Sequence, residues 1–128
     1  MTTLRPSELV DALALDVPHE LLPDPIEGTP SAGSVTLDER NGVEVGVWEM
    51  TTGTAADTEI DETFVVLAGA ATVRFQEVPG LSAPPADLAL SPGSVVRLAA
   101  GTRSVWTVTE TLRKIYIATW ARAKRRNT

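Results

Sequence analysis

The chain has 128 residues, the size of one domain, and is long enough to bury roughly two thirds of its unfolded surface, so it needs neither a disulfide nor a metal to fold. It has no cysteine and a single histidine, His19, which excludes a disulfide framework, a thiolate metal centre, a cysteine nucleophile and any zinc, iron or copper site built from several imidazoles of one copy. Eleven Lys+Arg against 17 Asp+Glu leave a net charge of −6, the wrong sign for nucleic acid or an anionic membrane surface. No apolar run approaches the ~20 residues of a membrane helix and residues 1–6 lack the pattern of a signal peptide, so a cytoplasmic protein is expected.

Residues 1–32 read as an N-terminal arm. Ser7 is placed to cap a short helix carrying Leu9, Val10, Leu13 and Leu15 at helical spacing. Pro18, Pro23, Pro25 and Pro30 then forbid a long helix or a central strand. Residues 17–32 are expected to lie extended on the body, with Leu21, Leu22 and Ile26 as apolar pegs; for the first ten residues a loosely ordered tail is the alternative.

Residues 33–120 read as short strands and turns. Val35 and Leu37 alternate with Thr36 and Asp38, and Val43, Val45 and Val47 with Glu44, Gly46 and Trp48, the period of half-buried strands. Thr63, Phe64, Val65, Val66 and Leu67 suit a strand covered on both faces. Gly69 and Ala70 permit a tight reversal into residues 71–76, where Ala71, Val73 and Phe75 face one way and Thr72, Arg74 and Gln76 the other. Pro79, Gly80, Pro84 and Pro85 mark a surface loop over residues 78–86. Residues 88–90 make a brief strand, Pro92 and Gly93 the centre of a type II turn, and residues 95–98 another strand. Ala100 and Gly101 turn the chain again. Residues 104–108 and 112–120 are the last two strands, with Glu110 and Thr111 between them. Seven or eight short strands, with no helical repeat and no β-α-β alternation, predict an all-β antiparallel sandwich or small barrel rather than a doubly wound nucleotide-binding fold. The basic end, residues 121–128, reads as a solvated tail, since a nucleic-acid arm is at odds with an acidic chain.

Two of these segments, in order and with the right gap, resemble the paired motifs of the cupin superfamily. Its first motif closes with Glu, six residues, then Gly, as Glu62 and Gly69 do here. Its second runs Gly, five residues, Pro-x-Gly, two residues, His; here Gly93 is followed at that spacing by Ala99, Gly101 and Ser104, so the family's Pro has become Ala99 and its His Ser104. Within that superfamily the closer resemblance is to a small single-domain branch related to the (S)-ureidoglycine aminohydrolase cupin domain, through Trp48, Thr51, Gly53, Asp61, Glu62, Thr63, Leu67 and Gly69, and later Trp106, Arg113, Lys114 and Tyr116. The resemblance covers about residues 43–118. It implies an antiparallel double-stranded β-helix, the cupin jelly-roll barrel, with a pocket inside. In metal-binding members two His, the Glu of the first motif and the His of the second hold a divalent metal. Counted back from Glu62, the two His positions fall on Ala56 and Thr58, or on Ala55 and Asp57, and the fourth on Ser104. Of the four ligands only Glu62 remains, so no cofactor is expected and a divalent metal is disfavoured.

The residues left to form a site are Trp48, Thr58, Glu62, Phe64, Ser104, Trp106 and Tyr116. By the resemblance Glu62 points into the barrel, where a carboxylate must be paired or protonated; it is either a structural carboxylate or a general acid or base. Trp48, Trp106 and Tyr116 form an apolar wall with polar handles, or are simply core. Asp57, Glu59, Asp61 and Glu62 read as a solvated acidic loop, or as a hard-cation site. Arg97, Arg103 and Lys114 read as solvent-facing strand residues, or as clamps for a ligand anion. With His19 in the arm, Ser104 has no base to make it a nucleophile. The expectation is a homodimer, paired through sheet edges, that binds a small polar organic molecule in a metal-free barrel. Two alternatives stand beside it: an enzyme of aminohydrolase, isomerase or lyase type using Glu62 with Tyr116 or Lys114, and a structural or regulatory dimer module with a filled barrel.

Overall fold

Two long strands organise the molecule. A computed structural model describes residues 4–119, which hold eight strands and no helix: β1 (Glu20–Leu21), β2 (Ser31–Arg40), β3 (Val43–Met50), β4 (Gly53–Thr58), β5 (Glu62–Glu77), β6 (Leu88–Leu90), β7 (Val95–Leu98) and β8 (Arg103–Thr119). All pairings are antiparallel. β5 and β8 pair with each other along their length, from Glu62 opposite Ala118 to Glu77 opposite Arg103. The first half of β8 carries β4 and its second half carries β3. Likewise β7 pairs with the start of β5 and β6 with its later part. The ribbon therefore belongs to two layers, β1-β2-β3-β8-β5-β7 and β4-β8-β5-β6, which face each other as a jelly-roll barrel.

The reversal expected at Gly69 and Ala70 is absent. The chain runs straight through, and the pairing register shifts instead between Val66 and Ala71. Such bulges bend a strand and let it pass from one sheet to the next. Gly69 sits there at φ +94°, with the Thr111 carbonyl where a Cβ would be. The bulge also changes which residues face inward: Glu62, Phe64 and Val66 before it, Ala71 and Val73 after it, all buried. For the same reason residues 104–108 and 112–119 are one strand. The β2–β3 hairpin closes on Asn41 (φ 52°) and Gly42 (φ 79°), the two positive-φ positions of a type I′ turn.

The helix expected after Ser7 is absent too. Ser7 has φ 71°, incompatible with an N-cap, and residues 4–15 form turns closed by Glu8 N–H to the Arg5 carbonyl and Leu15 N–H to the Asp11 carbonyl. The rest of the arm does lie against the body. Leu22 N–H bonds the Pro30 carbonyl and Ile26 N–H the Thr54 carbonyl. Of the expected pegs, only Leu22 packs against the core; Leu21 and Ile26 are exposed, and Val17 and Pro30 are buried instead. The arm is pinned by charge. Arg113 Nη1 donates to the carbonyls of Ala12 (2.9 Å) and Leu15 (2.7 Å), its Nε to Glu49 Oε2 (2.8 Å), and His19 bridges Glu49 Oε1 and Ser31 Oγ at 2.8 Å each. Trp120 and the basic tail lie outside the described residues. Within them no helix is long and apolar enough to cross a membrane.

Candidate functional site

Pleating decides what enters the barrel. On β3 the even-numbered Glu44, Trp48 and Met50 line the interior, while Glu49 meets the arm on the other face. On β8 the inward set is Ser104, Trp106, Leu112, Lys114 and Tyr116, all buried. Between the layers lies a cavity of about 1010 Å³. Trp48, Thr58, Glu62, Trp106 and Tyr116 line it; Phe64 and Ser104 do not, for both lie one layer behind its wall with almost no exposed surface. Thr58 is exposed at its rim, as are Asp57 and Arg103.

Lys114 corrects the solvent-facing reading. Its side chain is 7% exposed, and its Nζ donates to Glu62 Oε2 at 2.7 Å, a carboxylate side chain that is itself 5% exposed. The same ammonium lies 4.1 Å from the centre of the Phe64 ring, 4.7 Å from Trp48 and 4.8 Å from Trp106. Trp106 tilts against both other rings, at 5.7 Å between centroids, so the three faces wrap one cation. Arg97 and Arg103 are exposed as expected, and Arg103 pairs with Glu77.

Glu59 corrects the solvated-loop reading. β4 ends at Thr58 and the next residue turns inward, 4% exposed. Glu59 Oε2 accepts from Ser104 Oγ (2.5 Å) and Trp106 Nε1 (2.8 Å). Burial, and then the charge of Asp57, push its carboxyl above the usual range; the two bonds and Lys114 counteract this only in part. Asp61 caps the Ala100 N–H at 2.8 Å, so the four acids divide among rim, wall and loop. A third carboxylate, Glu44, accepts from Tyr116 Oη (2.7 Å) and Thr36 Oγ1 (2.8 Å) on the cavity wall. Tyr116 fits because its cross-strand partner is Gly46, where any Cβ would meet the phenol ring.

The sequence leaves Glu44 unmarked, puts Glu59 in a solvated loop or a hard-cation site, and reads Lys114 as solvent-facing or as an anion clamp. One signal was available for Lys114: it shares strand parity with Leu112 and Tyr116. No signal showed that Glu59 is buried, since its inward turn follows from where β4 stops.

The metal implied by the cupin fold does not fit this donor set. Ala55 and Ala56 offer no donor, Ser104 Oγ donates to Glu59, and Glu62 Oε2 is taken by Lys114. Among the described residues no group of three or more His, Cys, Asp or Glu is placed to hold a metal ion.

Comparison with known proteins agrees with the fold. The model of the EutQ-like cupin domain matches residues 29–116. The chain belongs to this family. No protein of curated function matches significantly. Among solved structures, this EutQ-like cupin is similar to an ethanolamine utilization protein Q from Salmonella typhimurium LT2 (19% identity over 70% of each chain, TM-score 0.57) and to the EutQ protein of Clostridium difficile (20% identity over 72% of this chain and 70% of that one, TM-score 0.58). It is also similar to a protein of unknown function from Pseudomonas syringae pv. tomato (26% identity, TM-score 0.66), covering 86% of this chain and 46% of that one. The fold is thus that of the cupins, and no specific activity comes with it.

Proposed function

We propose that the barrel binds a small polar organic molecule without a His-bound metal. What supports this most is the cavity of about 1010 Å³, lined by Trp48 and Trp106 together with the buried carboxyl groups of Glu59 and Glu62. Ligand sites usually have about 300–1,000 Å³ and few, converging polar groups. A filled structural barrel would have no such space. Glu59 and Glu62 each use Oε2 on protein donors. The wall carries four carboxylates (Glu44, Asp57, Glu59, Glu62) against two cations (Arg103, Lys114). This balance favours a neutral or cationic ligand rich in N–H or O–H donors over an anionic one.

A thermal-shift screen of small amines, ureido compounds, sugars and carboxylic acids tests it. Donor-rich neutral or cationic compounds should raise Tm, by roughly 8 °C at a hundredfold excess over Kd, and Trp48→Ala and Glu62→Gln should weaken the hit. No stabilisation by any compound class would count against a binding barrel.

Glu59 favours a second reading, acid–base turnover of aminohydrolase, isomerase or lyase type. It is a carboxyl with a raised proton affinity in the same wall as Glu62. Loss of turnover in both Glu62→Gln and Glu59→Gln, with ligand binding retained, would support this reading over simple binding. Kinship with the ureidoglycine aminohydrolase cupin domain, a cytoplasmic location and a homodimer belong to the same proposal. The run of matching residues around Trp48, Glu62 and Tyr116 supports the kinship, and the acidic composition is in keeping with the location.

A further inference from the structure

We infer that the Lys114 ammonium is the resident cation of this barrel, a tethered ion that occupies the charge-balancing place beside Glu62 and leaves no room there for a divalent metal. The chemistry of the surroundings carries this. Nζ has one anionic partner, Glu62 Oε2 at 2.7 Å, and three aromatic faces within 4.8 Å of it. Aromatic faces attract an ammonium through their quadrupole. They offer no lone pair to Zn²⁺, Mn²⁺ or Mg²⁺, which need several oxygen or nitrogen donors. The cage is therefore built for an alkylammonium and not for a metal. The tether is fixed: β8 lies between β3 and β5, and Lys114 pairs across to Trp48 on one side and Val66 on the other. Trp106 is held in turn by its indole N–H bond to Glu59, so Glu59 positions one wall of the cage. This inference goes beyond the ligand proposal and does not depend on it.

Cutting the tether tests it. Lys114→Ala removes three carbons and the nitrogen, the atoms of n-propylammonium. Unfolding of the variant is followed with n-propylammonium chloride, potassium chloride and 1-propanol. The variant should be stabilised by n-propylammonium with an apparent Kd about tenfold or more below that for 1-propanol, and potassium should not substitute. In the wild type, where Lys114 fills the cage, the amine should bind at least about tenfold more weakly than in the variant. Equal stabilisation by the amine and the alcohol would overturn the inference.

Two further measurements leave Lys114 in place. The sequence has two lysines, Lys114 and Lys124, so lysine-labelled protein gives two side-chain NMR signals. One should be displaced upfield by the three rings; two ordinary signals would refute the cage. Chelator-treated wild type is then titrated calorimetrically with Zn²⁺, Mn²⁺ and Ni²⁺ in turn. Absence of any uptake that depends on Glu62 supports the tethered cation. One equivalent of metal bound by the wild type and lost in Glu62→Gln overturns it. An empty ligand screen would refute the proposed binding function while leaving all these results unchanged.

Discussion

Glu59 and Glu62 lie three residues apart, both buried, and are stabilised by different chemistry. Glu62 faces an ammonium, whereas Glu59 has two neutral donors and a nearby carboxylate, Asp57. Burial first, then Asp57, raise the Glu59 carboxyl, so folding favours its protonated form. Its contribution to stability is complete below the ordinary carboxylate range and declines as pH rises through the raised value. Glu59→Gln cannot ionise and still offers an oxygen to Ser104 and Trp106. Calorimetry should find its Tm above wild type at pH 7 and close to wild type near pH 4; a lower Tm at pH 7 would mean the ionised form is the stabilising one. Lys114→Met, by contrast, leaves Glu62 buried without its partner and should cost about 3–5 kcal/mol in denaturant unfolding. Adding Glu62→Gln should restore most of it. At this scale Glu62 was legible because its spacing to Gly69 is a family signature. Lys114 was not, because a lone lysine in a strand is usually exposed, and only the neighbouring parity of Leu112 and Tyr116 contradicts that.

Among the elements, the β5–β8 ribbon explains both the success and the failure of pattern reading. Alternation, apolar runs and turn signals point to every strand of the body except β4, since period-two burial is written directly in residues such as Ala71 and Val73 but not in Gly53–Thr58, which carries no apolar alternation. The same reading cuts the two longest strands in half: β5 at Gly69, because a bulge and a hairpin turn both favour glycine, and β8 at the polar pair Glu110 and Thr111, which reads like a turn. The Asn41 and Gly42 pair was a true hairpin signal. Gly69→Ala would bring a Cβ onto the Thr111 carbonyl at φ +94° and should cost at least about 2 kcal/mol, readable in urea unfolding. The arm follows different rules. Burial raises the Glu49 carboxyl, but the bonds and charges of Arg113 and His19 outweigh it and hold it below the usual range. That stabilisation is present above the ordinary carboxylate range and lost as pH falls through the lowered value. Hydrogen exchange of residues 4–22 should therefore speed up in acid while the barrel stays protected. Arg113→Ala should do the same at pH 7 and cost about 2 kcal/mol through the lost charged hydrogen bonds.

For the whole molecule, the fold was legible down to its two layers, and the interior was not. Sequence patterning says which residues turn inward but not how much volume they leave unfilled, so the cavity had to be seen. The outer edges are equally open to test. β1 is a two-residue edge strand that includes the exposed Leu21, with Ile26 exposed farther along the arm, and we propose that this edge joins two copies. Light scattering at micromolar concentration should give twice the chain mass, falling to one chain in Leu21→Asp; a monomeric wild type would refute it.

The cross-strand neighbours Trp48 with Lys114 and Glu49 with Arg113 occupy adjacent rungs of one ladder and point to opposite sides of the sheet. Sliding β8 by a single residue would bury a guanidinium among the tryptophans and strand the lysine under the arm, with both acids facing the wrong bases. Alignment of the central strands is thus enforced twice over, once from each side, by charge as well as by hydrophobicity. A barrel of this kind carries its own proofreading against misthreading, at the two positions where function and anchoring stand back to back.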